Sequence, residues 1–252
     1  MATYARAVQQ LAEIESEEGG DPRSESAKTA LKDLRGDLTG YRSKQVLAEY
    51  GISATKEHLV HSRDEARAAA AHFEGPVVMK IQSPDIFHKT EAGGVEVGVD
   101  LVSVGEVYDR IMSRAAAQAT LDRIEGVLIQ ELIRDAIELI AGVIHDPQFG
   151  PAVMVGFGGI YAEVFRDVAF RIAPITRTEA HEMIRELQAF PILAGARGRR
   201  RADTEAVADV LLGLSAAAVD SGSETLEIDV NPLFVLPAGC GAVAGDALIK
   251  RG

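Results

Sequence analysis

Tryptophan is absent from the 252-residue chain, and cysteine occurs once, at Cys240. A lone thiol closes no internal disulfide and has no His or Cys at metal-ligand spacing, which excludes a disulfide scaffold and a thiolate metal site. No apolar run approaches the roughly 20 residues needed to span a bilayer. The opening residues, MATYARAVQQLAEIESEEGG, alternate apolar with charged side chains where a signal peptide would carry an apolar stretch. The expectation is a cytoplasmic protein with no membrane partner. Basic residues are outnumbered, 26 Lys and Arg against 38 Asp and Glu, for a formal net charge of -12. Nucleic-acid binding rests on neutralising phosphates with cations, so no nucleic-acid partner is expected. A nucleotide is not excluded, because a small phosphate site needs only a few local cations and backbone N–H groups. The six histidines show neither H-x-x-x-H nor H-E-x-x-H spacing, which argues against zinc.

What is present suffices for a sizeable core: 47% of residues are hydrophobic, enough for one large domain or two lobes. Residues 5–18 predict a short amphipathic helix, ended by Gly19-Gly20-Asp21-Pro22. Ser43 reads as the N-cap of a helix through Tyr50 with Gly51 as its stop. A strand near Leu59-Val60 and an alanine-rich helix from Asp64 to about His72 follow. Pro76–Ile81 and Val95–Val99 read as strands, and Ser103 with Glu106 as a capping box for a helix to about Ala119. Residues 126–133, 137–144 and 152–157 read as apolar strands, with a turn over 146–151 between the last two. Thr176 with Glu179 caps a further helix, Asp203 or Thr204 opens a long apolar one through Leu214, and 225–249 is strand-rich. Helices and strands alternate without a strict repeat, which predicts an α+β or mixed α/β fold.

Two stretches carry more chemistry than a core requires. In PVVMKIQSPDIFHKTEAGG (76–94), Lys80 interrupts an apolar strand; its ammonium either meets an anion such as phosphate or snorkels to the surface, and the residues alone leave the two readings balanced. His88 follows on a loop with Asp85 and Lys89 nearby. A neutral imidazole is a competent nucleophile toward phosphorus, although a loop histidine is more often simply solvated. In LEIDVNPL (226–233), strand alternation puts Glu227, Asp229 and Asn231 on one face. Two carboxylates and an amide oxygen are hard donors of the kind Mg²⁺ prefers, and Asp246 adds another if a following strand returns antiparallel. An ordinary polar, solvent-facing strand would have the same spacing. Gly156-Phe157-Gly158-Gly159 matches neither dinucleotide nor Walker A patterns and reads as a tight hairpin. The basic run Arg197-Gly198-Arg199-Arg200-Arg201 reads as a solvated loop or an anion-docking one.

Taken together, PVVMKIQSPDIFHKTEAGGVEVG, ELIAGVIHDPQFGPAVMVGFGGIYAEVFRDVAFRIAPI and EIDVNPL resemble the ATP-grasp domain of ADP-forming acyl-CoA synthetases, over about residues 36–250. More distantly they are similar to the β subunit of succinyl-CoA synthetase. The resemblance implies an α+β ATP-grasp fold with two lobes closing on a nucleotide. Residues 1–25 would form an extension, about 52–125 a small lobe, and about 126–252 with the 26–51 helix a larger one. It implies that Lys80 contacts nucleotide phosphate, that the Gln130-Glu131-Leu132-Ile133 hinge lies along the adenine, and that Glu138 and Glu163 face the cleft. Asp229, Asn231 and Asp246 match the positions expected to hold Mg²⁺, with Glu227 less well supported. His88 matches the loop histidine that carries a phosphoryl group to ADP, with Lys89 neutralising the carried charge. The implied reaction interconverts acyl-CoA, ADP and phosphate with free acid, CoA and ATP, with ATP/ADP and Mg²⁺ as cofactors. No G-x-G-x-x-G CoA-binding domain is present, so a separate CoA-binding α subunit is expected in a hetero-oligomer such as α2β2. His145, the N-terminal extension and the Arg199–Arg201 run depart from the family's pattern. Two other readings stay open: a non-catalytic nucleotide sensor regulating a partner enzyme, and a stand-alone ATP-grasp carboxylate ligase.

Overall fold

A computed structural model describes residues 28–29, 31, 36–86, 89–159, 167–198, 200–222 and 226–251. The helix expected over 5–18, His88, Glu163 and Arg199 lie outside the described residues. In chain order the elements are α1 (Gly40–Ala48), β1 (Glu57–Val60), α2 (Arg63–Ala70), β2 (Val77–Gln82), β3 (Val95–Val99), α3 (Val104–Ala115), β4 (Gly126–Glu131) and β5 (Ile137–Asp146). There follow β6 (Gly150–Phe157), β7 (Val168–Ile172), α4 (Arg177–Glu186), α5 (Phe190–Leu193), α6 (Thr204–Asp220), β8 (Leu226–Val235), β9 (Ala242–Ala244) and β10 (Ala247–Arg251).

The chain divides into two compact units. One comprises Thr39–Tyr41 and Thr55–Arg134; the other comprises Arg42–Ala54 and the described parts of Met1–Leu38 and Asp135–Gly252. The smaller unit is a four-stranded antiparallel sheet in the order β1-β4-β2-β3, covered by α2 and α3. Its own core holds Val77, Met79, Ile81, Ile111, Val127 and Ile129. The chain leaves this unit after Arg134, later than the expected boundary near 125, because β4 is a central strand bonded to both β1 and β2.

The larger unit is a six-stranded antiparallel sheet in the order β10-β8-β5-β6-β7, with β9 paired to β8. The inward residues Leu139, Ala141, Val143, Val153, Val155, Ile228 and Val230 pack with Val207, Leu211 and Leu214 of α6. Asp203 caps α6, accepting from Ala206 N at 3.2 Å, and Thr176 with Glu179 forms the expected capping box of α4.

Several local expectations shift. Ser43 lies inside α1, which starts at Gly40, and its Oγ accepts from Ile249 N at 3.1 Å, so the hydroxyl serves the sheet and not the helix end. Ser103 has helical backbone angles and makes no side-chain cap bond, so the predicted capping box of α3 does not form. A hydroxyl caps only when its own backbone is extended, as Thr176 and Ser62 are.

Candidate nucleotide and cation site

β8 alternates as its sequence demands: Leu226, Ile228 and Val230 are buried while Glu227, Asp229 and Asn231 are exposed on the opposite face. Asp246 lies in the bend between β9 and β10 rather than within a strand. Asn231 N donates to Asp246 O at 3.1 Å and Gly245 N donates to Pro232 O at 2.8 Å, so main-chain bonds set Asn231 beside Asp246. The Asp229 carboxyl is held above its ordinary pKa. Loss of hydration among its neighbours is the largest cause and the negative charge of Asp246 adds to it, while Lys250 opposes. Asp229 is nonetheless exposed on the sheet face, so its carboxylate stays within reach of solvent.

Two carboxylates that repel each other, with an amide oxygen alongside, make a set of hard donors that a divalent cation would relieve, so the residues present fit Mg²⁺. Among the described residues no group of three His, Cys, Asp or Glu stands together, so any cation here depends on the amide and on ligands other than protein. Glu227 is in register with Lys250, which gives its charge a cross-strand counterpart. Across the sheet, Gly142 of β5 lies opposite Asp229. A Cβ at Gly142 would stand 2.2 Å from Ile228 O, so no larger residue permits this strand approach. Glu138, exposed in β5, has its carbonyl bonded by Gly158 N at 2.9 Å; this close approach gives the Gly158-Gly159 pair its local role.

The smaller unit carries the other predicted residues. Lys80 is 9% exposed in β2, a strand buried along its whole length, in register with Val95 and Leu128. Gln130 is buried and its Nε2 donates to Thr55 Oγ1. Glu131 accepts from Lys56 N at 2.7 Å through Oε1, and its own N donates to Lys56 O at 3.0 Å. These bonds commit the side chains of Gln130 and Glu131 to the β1 side, whereas Ile133 is half-buried in the coil after β4.

Both flanks of residues 87–88 are held. Asp85 pairs with Arg123 at 2.9 Å, a hydrogen-bonded contact that lowers the carboxyl's pKa, and Asp85 N donates to Ser83 Oγ at 3.2 Å. On the other side Gly94 N donates to Lys89 O at 2.7 Å, and a Cβ at Gly94 would stand 2.5 Å from Ile81 Cγ2. Lys89 itself is half-buried. A cavity of about 340 Å³ lined by His181, Arg185, Phe190, Arg201 and Glu205 contains none of these residues.

Three buried polar groups carry no local signal in the sequence. Lys44 is buried with Nζ donating to Gly245 O at 3.3 Å, and Gln82 is buried with Oε1 accepting from Tyr41 N at 3.0 Å. Asp167 is buried and accepts from Gln188 N at 2.7 Å and Ala189 N at 2.8 Å. Only the burial of a polar group distinguishes such residues, and burial is a tertiary property.

Residues 29–250 match the model of the ATP-grasp domain, which makes this an ATP-grasp domain protein. Within that class the chain belongs to the family of the β subunits of ADP-forming acetate–CoA ligases. It is 42% identical over 213 residues to the Pyrococcus furiosus acetate–CoA ligase [ADP-forming] II subunit beta, covering 84% of this chain and 90% of that protein. It is also 42% identical over 221 residues to acetate–CoA ligase [ADP-forming] I of Archaeoglobus fulgidus, but there 88% of this chain spans only 32% of the relative. A solved structure of dinucleotide forming acetyl-coenzyme A synthetase 1 from Ca. Korarchaeum cryptofilum superposes with a TM-score of 0.74 at 35% identity, covering 89% of this chain and 97% of the matched chain. That structure holds coenzyme A and Mg-AMPPCP, with a phosphohistidine segment pointing towards the nucleotide binding site. The ATP-grasp expectation is thereby borne out. No helix of the described residues is long and apolar enough to cross a membrane.

Proposed function

We propose that this chain is the nucleotide-binding β subunit of an ADP-forming acyl-CoA synthetase, which passes a phosphoryl group between His88 and ADP. The observation that carries the reading is the pairing of Asp229 and Asp246 beside Asn231 on one open sheet face, in a chain of this family. Burial and the charge of Asp246 raise the pKa of Asp229, and Lys250 opposes them; a divalent cation between the two carboxylates would favour their charged forms.

In the proposed reaction the P–N bond of phosphohistidine 88 breaks as a β-phosphate oxygen of ADP forms the new P–O bond, leaving neutral His88 and ATP. Asp229, Asn231 and Asp246 would hold Mg²⁺, which when bound supplies positive charge to the phosphate oxygens. Lys80, nearly buried in a rigid strand, binds a phosphate oxygen and fixes its position. Lys89 offsets charge on the phosphohistidine. Glu131 and Ile133 offer main-chain groups along the adenine, and Glu138 orients the nucleotide from the sheet. Gln130, whose amide is committed to Thr55 and whose main chain is paired within the sheet, would fix the strand that leads into the hinge. Acyl phosphate formation from acyl-CoA and phosphate belongs to a CoA-binding α subunit that joins this chain in a hetero-oligomer.

The test combines the chain with a CoA-binding α subunit, acyl-CoA, ADP, phosphate and Mg²⁺. ATP should form, and labelled phosphate should appear on the chain as an acid-labile, base-stable adduct that His88→Ala abolishes. ATP formation at an unchanged rate in His88→Ala overturns the shuttle. Mg-nucleotide binding without turnover would mark a sensor instead.

A further inference from the structure

Lys44 is charged, fully helical and only 2% exposed. Burying an ammonium forfeits hydration that an apolar side chain of the same length would not forfeit. Its Nζ donates to Gly245 O at 3.3 Å, the carbonyl immediately before Asp246. The turn around Gly245 is otherwise gripped by main-chain bonds: Ala244 N to Ser53 O at 2.8 Å, Gly245 N to Pro232 O at 2.8 Å, and Asn231 N to Asp246 O at 3.1 Å. Packing is equally close, since a Cβ at Gly245 would stand 2.5 Å from the Phe234 ring. Lys44 therefore adds a charged donor to a turn already held by its backbone, at the one carbonyl that leads into a proposed cation ligand.

We infer that Lys44 is a positioning residue for the divalent-cation site: it holds the Gly245 carbonyl so that Asp246 is presented beside Asp229 and Asn231. The inference rests on the cation reading given above. Groups that orient metal ligands from behind typically change metal affinity by ten- to a hundredfold when removed. Helix α1 is the natural carrier, because it is already tied to β10 through Ser43 Oγ, which accepts from Ile249 N at 3.1 Å. Ser43 binds three residues beyond Asp246 and so anchors the helix without touching the turn.

This difference supplies the experiment. Mn²⁺ is titrated into the full chain and free Mn²⁺ is followed by electron paramagnetic resonance, with the melting temperature recorded for each variant. Lys44→Met should weaken Mn²⁺ binding by about tenfold, whereas Ser43→Ala should lower the melting temperature but leave affinity within about twofold, since it removes a bond remote from the ligands. Should Lys44→Met fail to fold, Lys44→Gln replaces it with the same expected direction. Unchanged Mn²⁺ affinity in the folded Lys44 variant, or equal weakening in Ser43→Ala, overturns the assignment. Asp229→Asn reports on the cation site separately: wild-type affinity there overturns the site itself, whatever Lys44 does.

Discussion

Lys80 and Gly142 are the residues where local chemistry is least forgiving. Taken alone, its strand leaves Lys80 balanced between a phosphate ligand and a snorkelling side chain, and the family resemblance implies the first; burial along the whole of β2 removes the open-surface version of the second. Lys80→Met should weaken ADP binding by about tenfold or more, the value of a charge-assisted hydrogen bond, with little loss of melting temperature; calorimetric titration checks it. Gly142 presents the opposite case. Its sequence context, ELIAGVI, reads as an ordinary apolar strand, and nothing in it announces that β8 lies 2.2 Å from the position of a Cβ. Gly142→Ala should cost about 3 kcal/mol or more in chemical denaturation, because the clash is with main chain and not with a side chain that can turn away.

Among the elements, α6 is tied to the C-terminal hairpin through Asp203. Its carboxylate accepts from Ala206 N at 3.2 Å, Gly239 N at 2.9 Å and Gly241 N at 2.8 Å. Burial pushes this carboxyl up, but the three N–H donors together outweigh it and leave the pKa lowered. A lowered carboxyl pKa contributes stability that is full above the unfolded aspartate value, about 4, and is lost as pH falls through the lower folded value. Asp203→Ala should therefore cost about 2 kcal/mol at pH 7, with the gap from the wild type closing as denaturation is repeated below about pH 4. The cap itself was legible, since Asp203 before an apolar run is an N-cap signal. The bonds to Gly239 and Gly241 were not, because they join residues far apart in sequence.

On the scale of the whole molecule, the two units have separate hydrophobic cores, one centred on the small sheet and one on the large. Ile111 is fully buried in the first. Ile111→Ala should destabilise the smaller unit by about 3 kcal/mol while leaving Mn²⁺ affinity at Asp229, Asn231 and Asp246 unchanged, because those ligands and their supports all lie in the larger unit. A binding ligand stabilises a fold by mass action. Mg²⁺ at a hundredfold over its dissociation constant should thus raise the melting temperature of the wild-type chain and not that of Asp229→Asn.

The sequence by itself determined the alternation that exposes Glu227, Asp229 and Asn231, the position of Lys80 in an apolar strand, the capping box of α4, and through whole motifs the ATP-grasp family. These are short-range properties, set by strand and helix periods and by residue type. Tertiary structure alone decided that Asp246 meets Asn231, that Glu227 stands in register with Lys250, that β4 belongs with the small sheet, and that Lys44 lies buried behind the turn. Each of those joins segments distant along the chain, and a one-residue change in strand register would exchange the two faces without altering any local pattern.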